Sequence, residues 1–388
     1  MIVCVAANPS IDKLFEVPHL RPGAIHRPKA FLAVPGGKGL NVARAATSIG
    51  ARVTAVPLLA GHAGRWIEEA LRAEGVASVN AWAAGGETRS SLSVADRETG
   101  RLTEFYEDGP PVTVADWDAL EAALGAAIEP GAWVTLSGTT PPGAPDDGYP
   151  RMIHAARSAG AKVAVDARGS ALLFALEASP DVVKINEAEA AEVLGEPVEL
   201  PGALAAADVL AERSRGAAVA ITLGRSGSVL VAGDVRLRGT VDVVGLYPVG
   251  SGDAFLAGLV AGRDRGSEWP EALRLAVGAG VANAEVPGAG RLRPERADRT
   301  DCRRYSGSTT ERVRCRGWSG SRPLDAASAI AARCATTSSA IGSRSDETTA
   351  APVAATSWRR GSSTPPSDHT RLWGPATLMG PCRYSIAG

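Results

Sequence analysis

The stretch PVGSGDAFLAGL, residues 248–259, marks the point where the sequence is most informative. Three small residues, 250–252, are followed by the single carboxylate of Asp253, and an apolar run with helical spacing begins there. Small residues let successive backbone N–H groups turn inward together, and the helix dipole adds to their attraction for an anion. The stretch therefore predicts an anion site with a carboxylate at its edge. The alternative is that Asp253 only caps the helix.

Outward from this stretch, residues 1–295 alternate between short β-branched runs and amphipathic stretches. We expect strands at 1–6, 53–59, 132–137, 161–166, 181–185, 218–223 and 228–232. We expect helices at 39–49, 64–74, 116–128, 149–159, 186–194, 203–214, 251–262 and 270–284. This alternation predicts an α/β fold with a mostly parallel central sheet, whose ligands bind beyond the carboxyl ends of the strands.

Two segments interrupt the alternation, because strand-like pieces follow one another there without helices between them. They are residues 12–34 and 88–107. We expect them to form a small separate sheet that acts as a lid over the main crevice. A pair of ordinary surface hairpins is the alternative.

Composition restricts the class of protein. The chain has 388 residues and a net charge of −1, which shows no bias toward nucleic acid or membrane partners. It contains no apolar run of the roughly 18 residues that a membrane span requires. The first residues, MIVCVAANPS, lack the basic and apolar regions of a signal peptide. We therefore expect a cytoplasmic protein.

The pattern changes after about residue 295. Residues 301–388 carry 12 arginines and 6 acidic residues, whereas residues 1–300 carry 29 basic and 36 acidic residues. The segment 296–388 is rich in Ser, Thr, Arg, Ala and Gly and shows no sustained apolar periodicity. We favour translation past a frameshift in a GC-rich gene; a disordered basic tail and a nucleic-acid-binding tail are the alternatives. Because the spacing of its four cysteines fits no zinc motif, a zinc site is disfavoured.

Three further motifs can carry chemistry. GGKGLN (36–41) lacks the spacing of a P-loop, but it can bring backbone and the Asn41 amide against a polar ligand; a tight turn is the alternative. KINEAE (184–189) ends a strand and starts a helix, so that Asn186 is either an ordinary helix cap or, with Glu189, a group near Mg²⁺. TLGRSG (222–227) is either a hairpin turn or a loop that contacts a nucleotide.

In this order, the motifs resemble those of the PfkB (ribokinase-like) carbohydrate kinase family, from residue 1 to about residue 290. GGKGLNVAR (36–44) and VGSGDAFLAGL (249–259) are the most specific pieces. Within the family, ANPSID (7–12), GETR (86–89), SGTTPPG (137–143) and KINEAE are most like the 1-phosphofructokinase group. The resemblance implies a three-layer α/β/α ribokinase-like domain with a small β-sheet lid. It also implies ATP-dependent conversion of fructose 1-phosphate to fructose 1,6-bisphosphate. Tagatose 6-phosphate and fructose 6-phosphate remain alternative acceptors, and a catalytically impaired sugar-phosphate-binding protein is a further one.

The resemblance also implies roles for individual residues. Asp253 would be the general base, with an anion hole formed by Gly250, Ser251 and Gly252. The sugar would be bound by Asp12, Gly37, Lys38 and Asn41. The phosphate already on the sugar would be bound by Arg27, Arg89 and Ser137. ATP would be bound by Lys184, Asn186, Glu189, Thr222, Gly224, Gly227 and Asn283. Glu189 would also hold Mg²⁺ through water, and a monovalent cation such as K⁺ and a homodimer formed through the lid are implied as well.

The sequence departs from the family pattern at several points, which include SGTTPPG (137–143) in place of the usual SGSLPPG. Ser91 stands where related sequences commonly have an asparagine, and Ile185 stands where a proline is usual. After residue 290, the sequence does not resemble the short helix and strand with which the family normally ends. A missing final strand would expose one edge of the sheet.

Overall fold

The apolar run IVCVA forms the strand Ile2–Ala6, which is buried along its whole length. Its side chains alternate between two cores: Val3 and Val5 belong to one, Ile2 and Cys4 to the other. A strand that is apolar on both faces must lie between two helical layers. The chain therefore folds around a sheet that is covered on both sides.

The computed structural model describes residues 1–240, 245, 247–297, 302–306 and 309–313, all within the compact unit Met1–Ser319. The helices in these residues are α1 Lys38–Ser48, α2 Gly61–Ala73, α3 Val114–Ala127, α4 Gly148–Ser158, α5 Gly169–Glu177, α6 Glu187–Leu194, α7 Ala203–Arg213, α8 Ser251–Asp264, α9 Trp269–Ala284 and α10 Pro294–Ala297. The first eight strands are β1 Ile2–Ala6, β2 Ser10–Val17, β3 Ala30–Gly36, β4 Val53–Leu59, β5 Ala77–Ser78, β6 Ala81–Trp82, β7 Arg89–Asp96 and β8 Leu102–Tyr106. The other strands are β9 Trp133–Ser137, β10 Lys162–Asp166, β11 Val182–Asn186, β12 Ala218–Thr222, β13 Ser228–Ala232, β14 Val235–Gly239, β15 Cys302–Ser306 and β16 Thr309–Val313.

The central sheet has twelve strands in the order β16-β15-β14-β13-β12-β11-β10-β9-β1-β4-β5, with β6 paired to β4. The strands from β12 to β5 are parallel, and those from β12 to β16 are antiparallel. One face packs against α3, α4, α5, α6 and α7, and the other against α1, α2, α8 and α9. The predicted three-layer α/β/α architecture is confirmed.

The two interrupting segments form one separate sheet with the order β3-β2-β7-β8, and this sheet is the lid. Strands β2 and β7 pair in parallel, so that Asp12 lies beside Ser91, and Tyr106 of β8 lies beside Ser91 in turn. Alternate residues of a strand point to opposite faces. The side chains of Asp12, Ser91 and Tyr106 therefore lie side by side on one face of the lid. The residues that precede and follow each of them in its strand lie on the opposite face. The alternative interpretation, a pair of ordinary surface hairpins, is wrong.

The end of the sheet differs from the expectation that no helix or strand follows residue 290. The short helix α10 packs near the end of α9, and β15 pairs with β14, so that β14 is not an exposed edge. Backbone pairing with β14 does not require the apolar alternation that the sequence lacks here. The interpretations of the tail as frameshifted, disordered or nucleic-acid-binding concern mainly residues 314–388, which lie outside the described residues.

Candidate active site

The carboxyl ends of the parallel strands meet a single large cavity of about 1400 Å³. Ser137 ends β9, Asp166 ends β10, Asn186 ends β11 and Thr222 ends β12. In register, Ser137 lies beside Asp166 and Asn186 lies beside Thr222. The parallel order of these strands thus brings together side chains that are far apart in the sequence, at the edge of the sheet where α/β folds bind ligands.

Asp253 lies in the first turn of α8 and is 6% exposed. Gly250 is the N-cap residue, with φ of 81°, and no side chain caps this helix, so the interpretation of Asp253 as a cap is wrong. A Cβ on residue 250 would lie 2.8 Å from Ala289 Cα, and one on residue 252 would lie 2.7 Å from Lys184 Nζ. The two glycines therefore permit the tight turn and the approach of a lysine to the helix start.

The N–H groups at this helix start are only partly available. The N–H of Ser251 donates to Pro248 O at 3.1 Å. Within the part of the chain that the structure describes, the N–H groups of Gly250, Gly252 and Asp253 donate to no other residue. Of the predicted anion hole, Gly250 and Gly252 therefore keep a free N–H and Ser251 does not. The N–H groups of Gly252 and Asp253, in the first turn of the helix, are the donors that an anion would find next to the Asp253 carboxylate.

The pKa of Asp253 is raised to about 7, first because the carboxyl is buried and second because the charge of Asp166 lies nearby. Lys38 and Lys184 oppose this rise, as does the Asn41 amide, whose Nδ2 donates to Asp253 Oδ2 at 2.9 Å. A carboxylate with a pKa near neutrality can accept a proton during a reaction and release it again.

A second buried carboxylate, Asp166, holds two lysines. Its Oδ1 accepts a hydrogen bond from Lys38 Nζ and its Oδ2 accepts one from Lys184 Nζ, both at 2.8 Å. Lys38 Nζ also donates to Glu189 Oε1 at 3.0 Å. Burial opposes the charged form of Lys38, but the charges of Asp166 and Glu189 raise its pKa above the usual range. The cluster fixes two cations beside Asp253.

The Asn186 and Glu189 pair both caps α6 and faces the cavity. Asn186 Oδ1 accepts from the Glu189 N–H at 2.8 Å, and Glu189 Oε2 accepts from the Asn186 N–H at 2.9 Å. The interpretation of Asn186 as an ordinary helix cap is therefore confirmed. Both residues line the cavity, and Glu189 Oε1 points to Lys38. Capping of α6 uses Oε2, so that Oε1 faces the cavity and accepts the hydrogen bond from Lys38.

One end of the cavity is apolar. Helix α9 contributes Val277, Gly280, Val281 and Ala284 to its lining, and the hairpin between β12 and β13 contributes Thr222, Gly224, Arg225 and Gly227. Thr222 pairs with Ser228 in antiparallel register, so that the predicted hairpin turn is confirmed. Small residues and aliphatic side chains of this kind form a wall against which a flat ring can pack.

The opposite end lies under the lid and is polar. Asp12 accepts a hydrogen bond from Ser10 Oγ at 2.5 Å, and burial raises its pKa although Ser10 and Arg89 oppose the rise. Arg89 donates to Asn8 O at 3.3 Å, and to Ser91 Oγ and Glu107 O at 3.2 Å. This guanidinium is thus held in place by neutral partners. Its positive charge at the lid end of the cavity is suited to an anionic ligand group.

Two of the predicted site residues are not in this cavity lining. Arg27 is exposed in the loop between β2 and β3, at the end of the lid strands farthest from Ser10. Asn283 is fully buried, and its Nδ2 donates to Val249 O at 2.9 Å and to Ser251 Oγ at 3.3 Å. Asn283 therefore supports the turn before α8 from behind. The remaining predicted residues line the cavity: Asp12, Gly37, Lys38, Asn41, Arg89, Ser137, Lys184, Asn186, Glu189, Thr222, Gly224, Gly227, Gly250, Ser251, Gly252 and Asp253.

The sequence interpretation missed Asp166, which lies at the centre of the cluster. The sequence feature that could have identified it is a carboxylate at the end of the run KVAVD, since ligands bind at the carboxyl ends of parallel strands. Asn8, within the motif ANPSID, was given no role; it connects Arg89 to the loop after β9, because its Nδ2 donates to Thr139 Oγ1 at 3.5 Å.

Comparison with known proteins shows the family of this chain. The model of the pfkB family carbohydrate kinases matches residues 2–296. A 1-phosphofructokinase from Xanthomonas campestris pv. campestris is 32% identical over 76% of this chain and 94% of that protein. An ATP-dependent 6-phosphofructokinase isozyme 2 from Mycobacterium tuberculosis is 31% identical over 74% of this chain and 85% of that protein.

A similar solved structure is phosphofructokinase-2 from Escherichia coli, seen in complex with potassium and in a tetrameric inhibited form. It superposes with a TM-score of 0.71 and 26% identity, over 76% of this chain and 96% of that one. Among the described residues, no helix has the length and apolar character needed to cross a membrane.

Proposed function

Because this chain belongs to the pfkB family of carbohydrate kinases, we propose that it uses ATP to convert fructose 1-phosphate to fructose 1,6-bisphosphate. The observation that carries the proposal is Asp253, a buried carboxylate beside two N–H groups that bind no other described residue. It lies between a polar end of the cavity with a fixed guanidinium and an apolar end. This arrangement suits transfer of a phosphoryl group between two ligands.

In the proposed reaction, the free hydroxyl oxygen of the acceptor sugar attacks the γ-phosphorus of ATP. The hydroxyl proton passes to the Asp253 carboxylate, the bond from the γ-phosphorus to the bridging oxygen breaks, and ADP leaves. The N–H groups of Gly252 and Asp253 receive the charge on the transferred group. Removal of a positioned base typically costs about 10²–10⁴ in rate, and removal of one such donor costs about 10²–10³.

The lid end of the cavity supports a sugar phosphate as acceptor. The carboxylate of Asp12 and the amide of Asn41 suit sugar hydroxyls, since Asn41 Oδ1 is buried without a hydrogen-bond partner. Arg89 supplies a guanidinium that suits a phosphate group, and the buried Ser137 Oγ also has no partner. Gly37 and Lys38 lie alongside. Arg27 stays a prediction only, because it is outside the cavity lining.

The other end supports ATP and Mg²⁺. No group of three or more acidic, His or Cys side chains in the described residues could hold a metal on its own. The carboxylate of Glu189, which lines the cavity, does fit a hydrated Mg²⁺ that arrives with nucleotide phosphates, since Mg²⁺ usually keeps several waters. Glu189 would hold the ion through water, and the ion would neutralise phosphate charge. We expect Glu189→Gln to raise the Mg²⁺ concentration needed for half-maximal rate at fixed ATP; an unchanged requirement contradicts this assignment.

We extend the proposal to two further properties. Dependence on a monovalent cation is tested by replacing K⁺ with Na⁺ at constant ionic strength, where a fall in rate supports a K⁺ requirement and an equal rate contradicts it. A cytoplasmic location fits a substrate pair of ATP and a sugar phosphate; fractionation of cells that contain the protein tests it.

The function is tested by measuring ADP release with Mg-ATP and each of fructose 1-phosphate, fructose 6-phosphate and tagatose 6-phosphate. We expect the highest kcat/KM with fructose 1-phosphate. A higher value with fructose 6-phosphate or tagatose 6-phosphate would make the chain a kinase of that sugar phosphate instead. The Mycobacterium tuberculosis relative, at 31% identity, is named as a 6-phosphofructokinase. If none of the three sugars causes ADP release but sugar phosphate still binds, the chain is a catalytically impaired sugar-phosphate-binding protein.

The outer lid face supports a homodimer. Phe15 lies beside Phe31 in register, and Leu92 lies beside Phe105. Phe31 and Phe105 are 63% and 58% exposed, although they are large apolar side chains. Because this face points away from the cavity, a second copy of the chain can cover it without closing the site.

The dimer is tested by sedimentation of the full chain and of a variant with Phe31→Ser and Phe105→Ser. We expect the wild-type chain to sediment as a dimer and the variant as a monomer. Phe174→Ser is the matched control, because Phe174 is an exposed phenylalanine on α5, away from the lid. A monomeric wild type, or a variant that remains dimeric, contradicts the lid contact.

A further inference from the structure

Arg168 lies at the mouth of the cavity and was not among the predicted site residues. It follows the strand β10 by two residues and lines the cavity next to the loop after β9. Within the described part of the chain, its side chain forms no hydrogen bond or ion pair. An exposed, unpaired guanidinium at a ligand cavity is available to bind an anion.

The position of Arg168 is unfavourable for the helix that it precedes. Arg168 is the N-cap residue of α5, where no side chain caps the helix and the first turn has no acidic residue. Ser, Thr, Asp and Asn are the residues that stabilise this position, as Asn186 does for α6. A positive charge at a helix N-terminus also opposes the helix dipole. The arginine therefore contributes no stabilising cap here.

A second cation and an unsatisfied hydroxyl lie at the same end of the cavity. Burial lowers the pKa of Arg89, the charge of Asp12 opposes this shift, and the positive charge of Arg168 lies near enough to add a smaller lowering. No ion pair joins either guanidinium to a carboxylate among the described residues. Ser137, two percent exposed, has a hydroxyl without a hydrogen-bond partner and lies beside Asp166 in register. The negative charges of Asp12 and Glu107 act on Arg89, whereas among the described residues no carboxylate forms an ion pair with Arg168.

We propose that Arg168 is a second arginine for the phosphate group already on the acceptor sugar, and that together with Arg89 it selects phosphorylated over unphosphorylated sugars. The inference rests on the proposed function, because it assigns a further residue of the same site. Guanidinium groups bind phosphate oxygens through paired N–H donors, so two of them on one group favour a phosphate dianion over a hydroxyl.

The test is Arg168→Ser, which removes the guanidinium and installs a favourable N-cap. We expect the KM for fructose 1-phosphate to rise about tenfold, as for loss of a hydrogen bond to a charged group, while the KM for ATP stays the same. We expect the melting temperature to stay the same or to rise, because serine caps helices well. For unphosphorylated fructose, kcat/KM should be unchanged. If Arg168 had only a structural role, the substitution would change kcat/KM for both acceptors by the same factor.

The matched control is Arg72→Ser, since Arg72 is an exposed arginine of α2 outside the cavity lining, and it should change neither KM value. An unchanged KM for fructose 1-phosphate, or a rise confined to ATP, overturns the proposal. If the wild-type chain shows no turnover, the proposed function fails, and calorimetry with fructose 1-phosphate alone decides about Arg168. A dissociation constant raised about tenfold supports its role, and an unchanged constant or no binding overturns it.

Discussion

Asp166 and Asp253 belong to one buried cluster, and the pKa values of their carboxyl groups move in opposite directions. Burial raises both, but the charges of Lys184 and Lys38 outweigh burial at Asp166 and hold its pKa below the usual range. At Asp253, burial and the charge of Asp166 prevail, and the pKa rises to about 7. When two carboxylates lie close together, the one with cationic partners keeps its charge and the other takes up the proton. The cluster thereby separates a fixed anion from a proton acceptor.

The first prediction concerns turnover. Asp253→Asn keeps the size of the side chain but removes the proton acceptor, so we expect kcat to fall by about 10²–10⁴. Dissociation constants of fructose 1-phosphate and ATP should change only slightly. Stopped ADP-release assays and calorimetry measure the two effects, with Asp234→Asn, an exposed aspartate outside the cavity lining, as the control. An active Asp253→Asn variant would remove the general base from the mechanism.

The second prediction concerns the pH dependence of the rate. Because Asp253 accepts a proton only when ionised, kcat/KM should fall as the pH drops below about 7. The hydrogen bond from Asn41 lowers the pKa of Asp253. Asn41→Ala should therefore move the acid limb of the profile to higher pH, in addition to weakening sugar binding. A wild-type profile that stays flat down to pH values of about 5 would contradict this assignment.

The third prediction concerns the pH dependence of folding stability. The contribution of Asp253 to stability falls as the pH rises, whereas its contribution to the rate increases. The pKa of Asp253 is higher in the folded chain than that of an unperturbed aspartate, 3.8. Its contribution to stability is therefore fully present below that unfolded value and is lost as the pH rises through about 7. Asparagine does not ionise, so the free energy of unfolding of the variant lacks this pH-dependent contribution. We expect the melting temperature of Asp253→Asn, relative to wild type, to increase between about pH 4 and pH 7. A constant difference across that interval would contradict the raised pKa.

The fourth prediction concerns Asp166. Asp166→Asn leaves Lys184 without its carboxylate and Lys38 with Glu189 alone, and removal of one partner of a buried pair typically costs about 3–5 kcal/mol. It should also lower the pKa of Asp253 and move the acid limb of the rate profile to lower pH. Urea unfolding measures the first effect. Asp118→Asn is the control, because its ion pair with Arg151 is exposed and should contribute less than about 1 kcal/mol. Equal losses in the two variants would show that the lysines do not depend on Asp166.

The sequence predicts those elements whose apolar pattern is set by burial. Strands β1 and β9 are buried throughout, and the lid strands stand out because no helices separate them. Helix α5 escaped prediction because Leu173 and Phe174 are half exposed, so that its apolar run shows no single buried face. Strands β15 and β16 escaped it because backbone pairing holds them to the sheet.

In the site, motifs identified residues next to one another in sequence, such as Gly252 and Asp253. They could not identify Asp166, whose role depends on Lys38, a residue 128 positions away. Asn283 shows the limit in the other direction. The sequence predicts that its amide contacts ATP, but the side chain is fully buried and supports the turn before α8. The packing of α9 against α8 decides where this side chain points, and the sequence does not show that packing.

The lid has a further consequence for the way in which the chain folds. Its central pairing joins β2 to β7, and β4 of the main sheet lies between these two strands in the sequence. The lid strands therefore meet only after long segments have been ordered, and loop closure of this kind slows strand pairing. The lid sheet should form late in refolding and open first in the native state. Its amide hydrogens should then exchange with solvent faster than those of β1 and β9, which makes the cover of the cavity the part of the enzyme that opens most readily.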